Sequence, residues 1–121
     1  MLKRIVNYLV LRPSRDPIDS ESSTRETIPL GDGELEYYRD HVAAAEADAG
    51  NASKLLVIKF PGTGGRAERS SKQPADRWAS DSILWTVNPM GYGGSSGPAE
   101  LVRYPEMIQA IGEHARRTHP D

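Results

Sequence analysis

The sequence predicts an α/β fold, and three observations predict it. A turn-centred strand pair occupies residues 24–42, two short apolar runs at 55–60 and 83–87 have the character of buried strands, and an amphipathic helical stretch follows Pro105. A hairpin followed by strand, helix, strand and helix implies parallel strands with helices packed on the sheet. The 121 residues are one domain's length. Fifteen Lys and Arg against seventeen Asp and Glu leave a formal charge of -2, which gives no general attraction to phosphate backbones, so no nucleic-acid partner is expected. The absence of Cys excludes disulfides, thiol nucleophiles and Cys-based zinc sites. His41, His114 and His119 lack zinc-protease spacing, so neither a metal nor a cofactor is expected. One Phe, nine Pro and eleven Gly point to a thin core.

Residues 1–23 form an N-terminal helix and loop, and residues 24–121 the main body. Leu2, Ile5, Val6, Leu9 and Val10 fall on one helical face, so a short amphipathic helix is expected over residues 2–11. Docking on its own domain is the expected role, with peripheral membrane contact as the alternative. Lys3 and Arg4 mimic the start of a signal peptide, but no small-residue cleavage site follows the apolar run, which is too short to span a bilayer. A cytoplasmic location is the resulting expectation.

Residues 13–23 are loop in composition. Thr24 to Leu30 reads as a strand, Gly31-Asp32-Gly33 as a turn, and Glu34 to Val42 as a strand with Leu35 and Tyr37 on one face and Glu36, Tyr38 and Asp40 on the other. A small, polar stretch over residues 43–53 leads to Leu55 to Phe60, a continuous apolar run of the kind covered on both faces. Pro74 suits the first turn of a helix running to Ala79. The strand Ile83 to Val87 stops at Asn88-Pro89. In the last helix, Tyr104, Ile108, Ile111 and Ala115 are expected to face inward, and Glu113 and Arg117 to pair on the outer face.

In a parallel α/β sheet, ligands bind beyond the carboxyl ends of the strands, and both glycine-rich segments sit there. Pro61-Gly62-Thr63-Gly64-Gly65 can turn backbone N–H groups toward an anion or a developing oxyanion. Gly62 to Ala67 also satisfies the dinucleotide pattern G-x-G-x-x-A, which keeps a small nucleotide-binding module as an alternative. That pattern needs an acid at the end of the next strand, where Asn88 and Pro89 stand. Gly93-Gly94-Ser95-Ser96-Gly97 satisfies the G-x-S-x-G of serine hydrolases, whose nucleophile sits on a tight strand-to-helix turn. Here five residues separate the strand from Gly93, and Pro98 follows at once, so Ser95 is not expected to be a nucleophile. The acids and histidines downstream of it all lie on one helix or its end.

Together, Phe60-Pro61-Gly62-Thr63-Gly64-Gly65 and Asn88-Pro89-Met90-Gly91-Tyr92-Gly93-Gly94-Ser95-Ser96-Gly97-Pro98 resemble the first half of an α/β-hydrolase. The resemblance implies a partial hydrolase sheet and an incomplete three-layer sandwich. It implies that Thr63 is the oxyanion donor through its backbone N–H, that Gly62 and Gly64 shape its loop, and that Gly91, Gly93 and Ser95 belong to an architectural loop after the family's fourth strand. Pro61 stands where His is usual, and Asn88-Pro89-Met90 replaces Asp-x-Arg. The nucleophile, acid and His of the family lie beyond the residues matched here. The expectation is thus a truncated or fragmentary serine hydrolase, whose parent reaction cleaves an ester, thioester or amide of a small-molecule acyl substrate. It would carry the oxyanion loop without the triad and be inactive alone. A non-catalytic interaction domain is the remaining alternative. In the family, the strand matching Leu55 to Phe60 pairs with a later strand, so here it is expected to be an open edge prone to self-association.

Overall fold

The computed structural model describes residues 2–11, 15, 23–42, 55–61, 65–69 and 82–119. The elements are α1 (Leu2–Leu11), β1 (Thr24–Leu30), β2 (Gly33–Val42), β3 (Leu55–Lys59), β4 (Ser82–Asn88) and α2 (Tyr104–Thr118), with short 3-10 turns at Ala67–Arg69 and Leu101–Arg103. The helix expected from Pro74 and the linker over residues 43–53 lie outside the described residues.

The four strands form one mixed sheet in the order β1-β2-β4-β3. β1 and β2 make an antiparallel hairpin in which Leu30 pairs with Gly33, so the turn is the two residues Gly31 and Asp32. Gly31 has φ +58°, the left-handed conformation such a tight turn requires and that glycine adopts without cost. β1 is an edge strand, which is why Pro29, lacking an N–H, is tolerated within it. β2 runs antiparallel to β4, with Glu36 opposite Asn88, and β3 runs parallel to β4.

Alternation along the strands sends Ile28, Leu30, Leu35, Tyr37, Trp85 and Val87 to one face, where they pack with Met90 and with Met107, Ile111 and Ala115 of α2. Tyr37 and Trp85 stack tilted with ring centroids 4.6 Å apart. The inward stripe of α2 therefore centres on Met107, Ile111 and Ala115, while Ile108 is 54% exposed. The expected inward position of Ile108 is corrected by a small rotation of the helix, which brings Met107 against the backbone that leaves β4. The Met107 thioether accepts the Met90 N–H at 3.2 Å. Pro105 sits in the first turn, where its missing N–H costs nothing, and Glu113 takes a hydrogen bond from Gln109 at 3.3 Å.

Two further expectations are revised. β3 is covered less than its composition implies: Leu55 is exposed and the rest of the strand half-buried, because among the described residues it pairs on one side only. α1 forms over the expected residues, yet Leu2, Ile5, Val6 and Leu9 are all exposed, while Leu11 is buried, at 4%. These four positions of the stripe expected to dock on the domain are open to solvent.

The contrast within α2 is open to measurement. Ile111→Ala should cost about 2–4 kcal/mol in urea unfolding through the cavity it leaves, whereas Ile108→Ala should stay within roughly 0.5 kcal/mol of the parent.

Candidate functional site

Both glycine-rich loops leave the carboxyl ends of the parallel strands β3 and β4. In the first, Gly62, Thr63 and Gly64 lie outside the described residues, which resume at Gly65. Immediately after, Arg66 and Glu68 form a buried ion pair with Nη2 to Oε2 at 2.6 Å, and the Ala67 N–H donates to Asn88 Oδ1 at 2.8 Å. The return of the first loop is thus fastened to the last residue of β4.

The second loop, residues 89–98, folds back onto the start of β2. β4 ends at Asn88 opposite Glu36, while β2 extends further toward Gly33, paired there with β1 but without a strand partner on the β4 side. Two serine hydroxyls fill that place. Ser95 Oγ accepts the Glu36 N–H at 2.7 Å and donates to the Asn88 carbonyl at 2.5 Å, and Ser96 Oγ accepts the Glu34 N–H at 2.9 Å. The Ser96 N–H in turn donates to the Glu34 carbonyl at 2.9 Å. Ser95 is fully buried. Its hydroxyl is occupied by two backbone groups, and the downstream His114 lies elsewhere, its Nε2 being 3.1 Å from the Tyr37 hydroxyl on the α2 face of the sheet. The structure does not bring Ser95 and His114 together.

The glycines are where the loop passes closest to its neighbours. Gly91, Gly93 and Gly97 all have positive φ, at 92°, 53° and 108°. At Gly93 a methyl group would lie 2.5 Å from Asn88 Nδ2 and 2.7 Å from Glu36 Oε1. Gly33 permits the matching approach from the sheet, since a Cβ there would meet Ser96 Cβ at 2.5 Å.

Beneath the loop lies a polar group that the alternation of β2 did not distinguish from an outward-facing residue. Glu36 is 2% exposed. Its Oε1 accepts Asn88 Nδ2 at 2.7 Å and the Gly94 N–H at 2.9 Å, and its Oε2 pairs with Arg25. Asn88 Nδ2 also donates to Glu68. Burial pushes the Glu36 carboxyl up, but the Gly94 N–H, the Asn88 amide and the Arg25 guanidinium together outweigh it, so its pKa lies below the ordinary value. Asn88 therefore ties the two loops together, and no sequence motif marks either Asn88 or Glu36 for this role. On the other face, burial and then the nearby Arg117 hold the His114 imidazole below its usual pKa. The neutral ring is thereby favoured beside Tyr37, whose hydroxyl donates to Glu26.

An open cavity of about 340 Å³ lies beside the second loop, with Leu30 and Met90 as apolar walls and Asp32 and Arg103 among its charged residues. Among the described residues no nucleophile with an adjacent base lines it, and no group of His, Cys, Asp and Glu could hold a metal ion.

The chain matches no protein-family model and no curated protein. It is similar in structure to an alpha-beta hydrolase from Vibrio vulnificus, with a TM-score of 0.68 at 17% identity, over 99% of this chain and 44% of that one. It is also similar to the Pyrococcus furiosus esterase Pf2001, with a TM-score of 0.53 at 13% identity, over 89% of this chain and 43% of that one. In both cases the chain spans less than half of the solved protein. At such identities the likeness is one of fold: the chain has a partial, open mixed sheet flanked by helices, which resembles an incomplete α/β-hydrolase core.

Two predictions follow from the loop geometry. Ser95→Ala leaves the Glu36 N–H and the Asn88 carbonyl without their shared partner and should cost about 1–3 kcal/mol in thermal or urea unfolding; Gly93→Ala, which adds both strain and a clash, should cost at least as much. Because the folded pKa of Glu36 is lowered from an ordinary value of 4.5, its contribution is complete above that value and is lost as pH falls through the folded one. Glu36→Gln should therefore lower stability at neutral pH and flatten the decline on the acid side of about pH 4 in a series of unfolding curves.

Proposed function

We propose that this chain supplies the oxyanion-loop portion of a serine hydrolase of α/β-hydrolase type, whose chemistry is acyl transfer to water from an ester, thioester or amide. The observation that carries the reading is the combination of the sheet order β1-β2-β4-β3 with glycine-rich loops at the carboxyl ends of both parallel strands. In this reading Thr63 offers its backbone N–H to the developing oxyanion, with Gly62 and Gly64 giving the loop its shape. A donor of that kind is worth roughly 3 kcal/mol in a transition state because it is in place before charge develops. Gly91, Gly93 and Ser95 belong to the supporting loop, which holds the carboxyl end of β4 and leaves chemistry to residues outside the segment. The fold likeness to the two solved hydrolases supports the lineage.

The direct test is the coding DNA downstream of codon 121. A continuation or displaced frame encoding a strand that runs into G-x-S-x-G bears the reading out; unrelated sequence in all frames counts against it. On an activated short-chain ester, the 121-residue chain should show no turnover above buffer. Turnover abolished by Ser95→Ala would instead make Ser95 the nucleophile and overturn the assignment of its loop.

The edge of β3 extends the proposal. Among the described residues β3 pairs on one side only, and its other side is an edge of apolar composition. The isolated chain should therefore self-associate in size-exclusion chromatography with light scattering, and a complementary carboxyl-terminal hydrolase segment should suppress this. A monodisperse monomer with a cooperative thermal transition would show that the edge is already covered.

A further inference from the structure

α1 carries an aliphatic stripe that nothing described in the structure covers. Leu2, Ile5, Val6 and Leu9 recur at the spacing that places them on one helical face, and they are 75%, 50%, 47% and 66% exposed. The helix is nevertheless attached. The Leu11 side chain is buried, and its carbonyl accepts the Tyr92 hydroxyl. Four residues on, the Arg15 guanidinium donates to the Ser95 carbonyl at 2.7 Å and to the Gly97 carbonyl at 3.0 Å. α1 is thus held at its carboxyl end on the loop that follows β4, with its stripe turned outward.

Charge identifies the occupant. Residues 1–15 contain Lys3, Arg4, Arg12 and Arg15 and no Asp or Glu, in a chain whose net charge is -2, and Lys3 is exposed next to the stripe. A surface complementary to this segment is apolar at shallow depth and anionic at its boundary. An anionic phospholipid bilayer meets both conditions, since aliphatic side chains enter the acyl boundary while cations remain among the headgroups. A second copy docking stripe to stripe would bring no acid from α1 to meet those cations. No helix among the described residues is long and apolar enough to cross a membrane, so contact would lie in the plane of the interface.

We infer that α1 is an interfacial anchor that lays Leu2, Ile5, Val6 and Leu9 onto anionic phospholipid membranes. Because its base is fastened to residues 92–97, docking brings the carboxyl end of β4 up to the bilayer. It needs no catalytic chemistry from the chain and stands independently of the hydrolase reading.

The test uses the full chain with vesicles of phosphatidylcholine alone and of phosphatidylcholine mixed with phosphatidylserine. Co-sedimentation should occur with the anionic vesicles, weaken at high salt, and fall at least roughly tenfold in Leu9→Asp and Ile5→Asp, exposed positions where a charge opposes insertion without touching the core. The chain has no Cys, so Val6→Cys gives a single labelling site. An environment-sensitive fluorophore there should shift to the blue on anionic vesicles, while the same label in Glu113→Cys, on the exposed side of α2, should not. The inference is overturned by absence of binding, by equal binding to both kinds of vesicle, or by binding that Leu9→Asp leaves unchanged. It is equally overturned if light scattering shows a dimer that Leu9→Asp dissolves while the label at position 6 senses no lipid, because the stripe would then be an interface between copies.

Discussion

Where β4 stops at Asn88 and β2 continues toward Gly33, the sheet has backbone donors and acceptors that no strand can meet, and the described structure at this end of the molecule follows from how they are met. Buried peptide groups without partners cost about 1–3 kcal/mol each, so the chain after Asn88 has to return to the same edge. It returns as a loop rather than a strand, with the Ser95 hydroxyl bridging the Asn88 carbonyl and the Glu36 N–H in the manner of a built-in water. That bridge requires the backbone to pass within van der Waals distance of Asn88 and Glu36, which leaves no room for a Cβ at Gly93 and sets its positive φ. Gly93 and Gly94 are thus consequences of the close approach to Glu36, whereas Gly91 and Gly97 make room for Ala99 and Met90.

A second requirement follows from the first. The loop's own N–H groups need acceptors, and a neutral side chain in the position of Glu36 could not also balance Arg25. An ionised carboxylate, buried to 2% exposure, is stable there because Gly94, Asn88 and Arg25 donate to it together. Asn88 then passes the restraint to the other loop through Ala67 and Glu68, where the buried Arg66–Glu68 pair closes the network. A hydrogen-bonded path therefore runs from the β1–β2 hairpin through the end of β4 to residues 66–68, and fastens those residues and the loop after β4 to the same end of the sheet.

Periodicity made the strands and helices legible, because a strand or helix that buries one face repeats apolar residues at a fixed interval. The hairpin, both parallel strands and α2 stand within a residue or so of where their patterns place them. Ile108 was misplaced because Tyr104, Ile108, Ile111 and Ala115 make as regular a stripe as Met107, Ile111 and Ala115; the choice between them is made by the Met107 contact with Met90, which no local pattern encodes. The exposure of α1 was hidden for a similar reason: an amphipathic stripe states that a face wants cover without stating what covers it. Glu36 and Asn88 were not legible at all. A Glu alternating with Leu35 and Tyr37 is indistinguishable from a solvated residue until the loop after β4 is known to fold over it, and Asn88 before Pro89 reads as a strand terminator.

The network also decides what the loop after β4 can do. Asn88 is held by Glu36 and by the Ser95 hydroxyl, and it fixes the backbone at Ala67 in turn. The same hydrogen bonds explain why Ser95, despite sitting in a G-x-S-x-G string, is unsuited to attack. A nucleophile must present its oxygen to a substrate, and this oxygen is spent on joining β2 to β4, so the feature that makes the loop a good support is the one that removes its serine from chemistry.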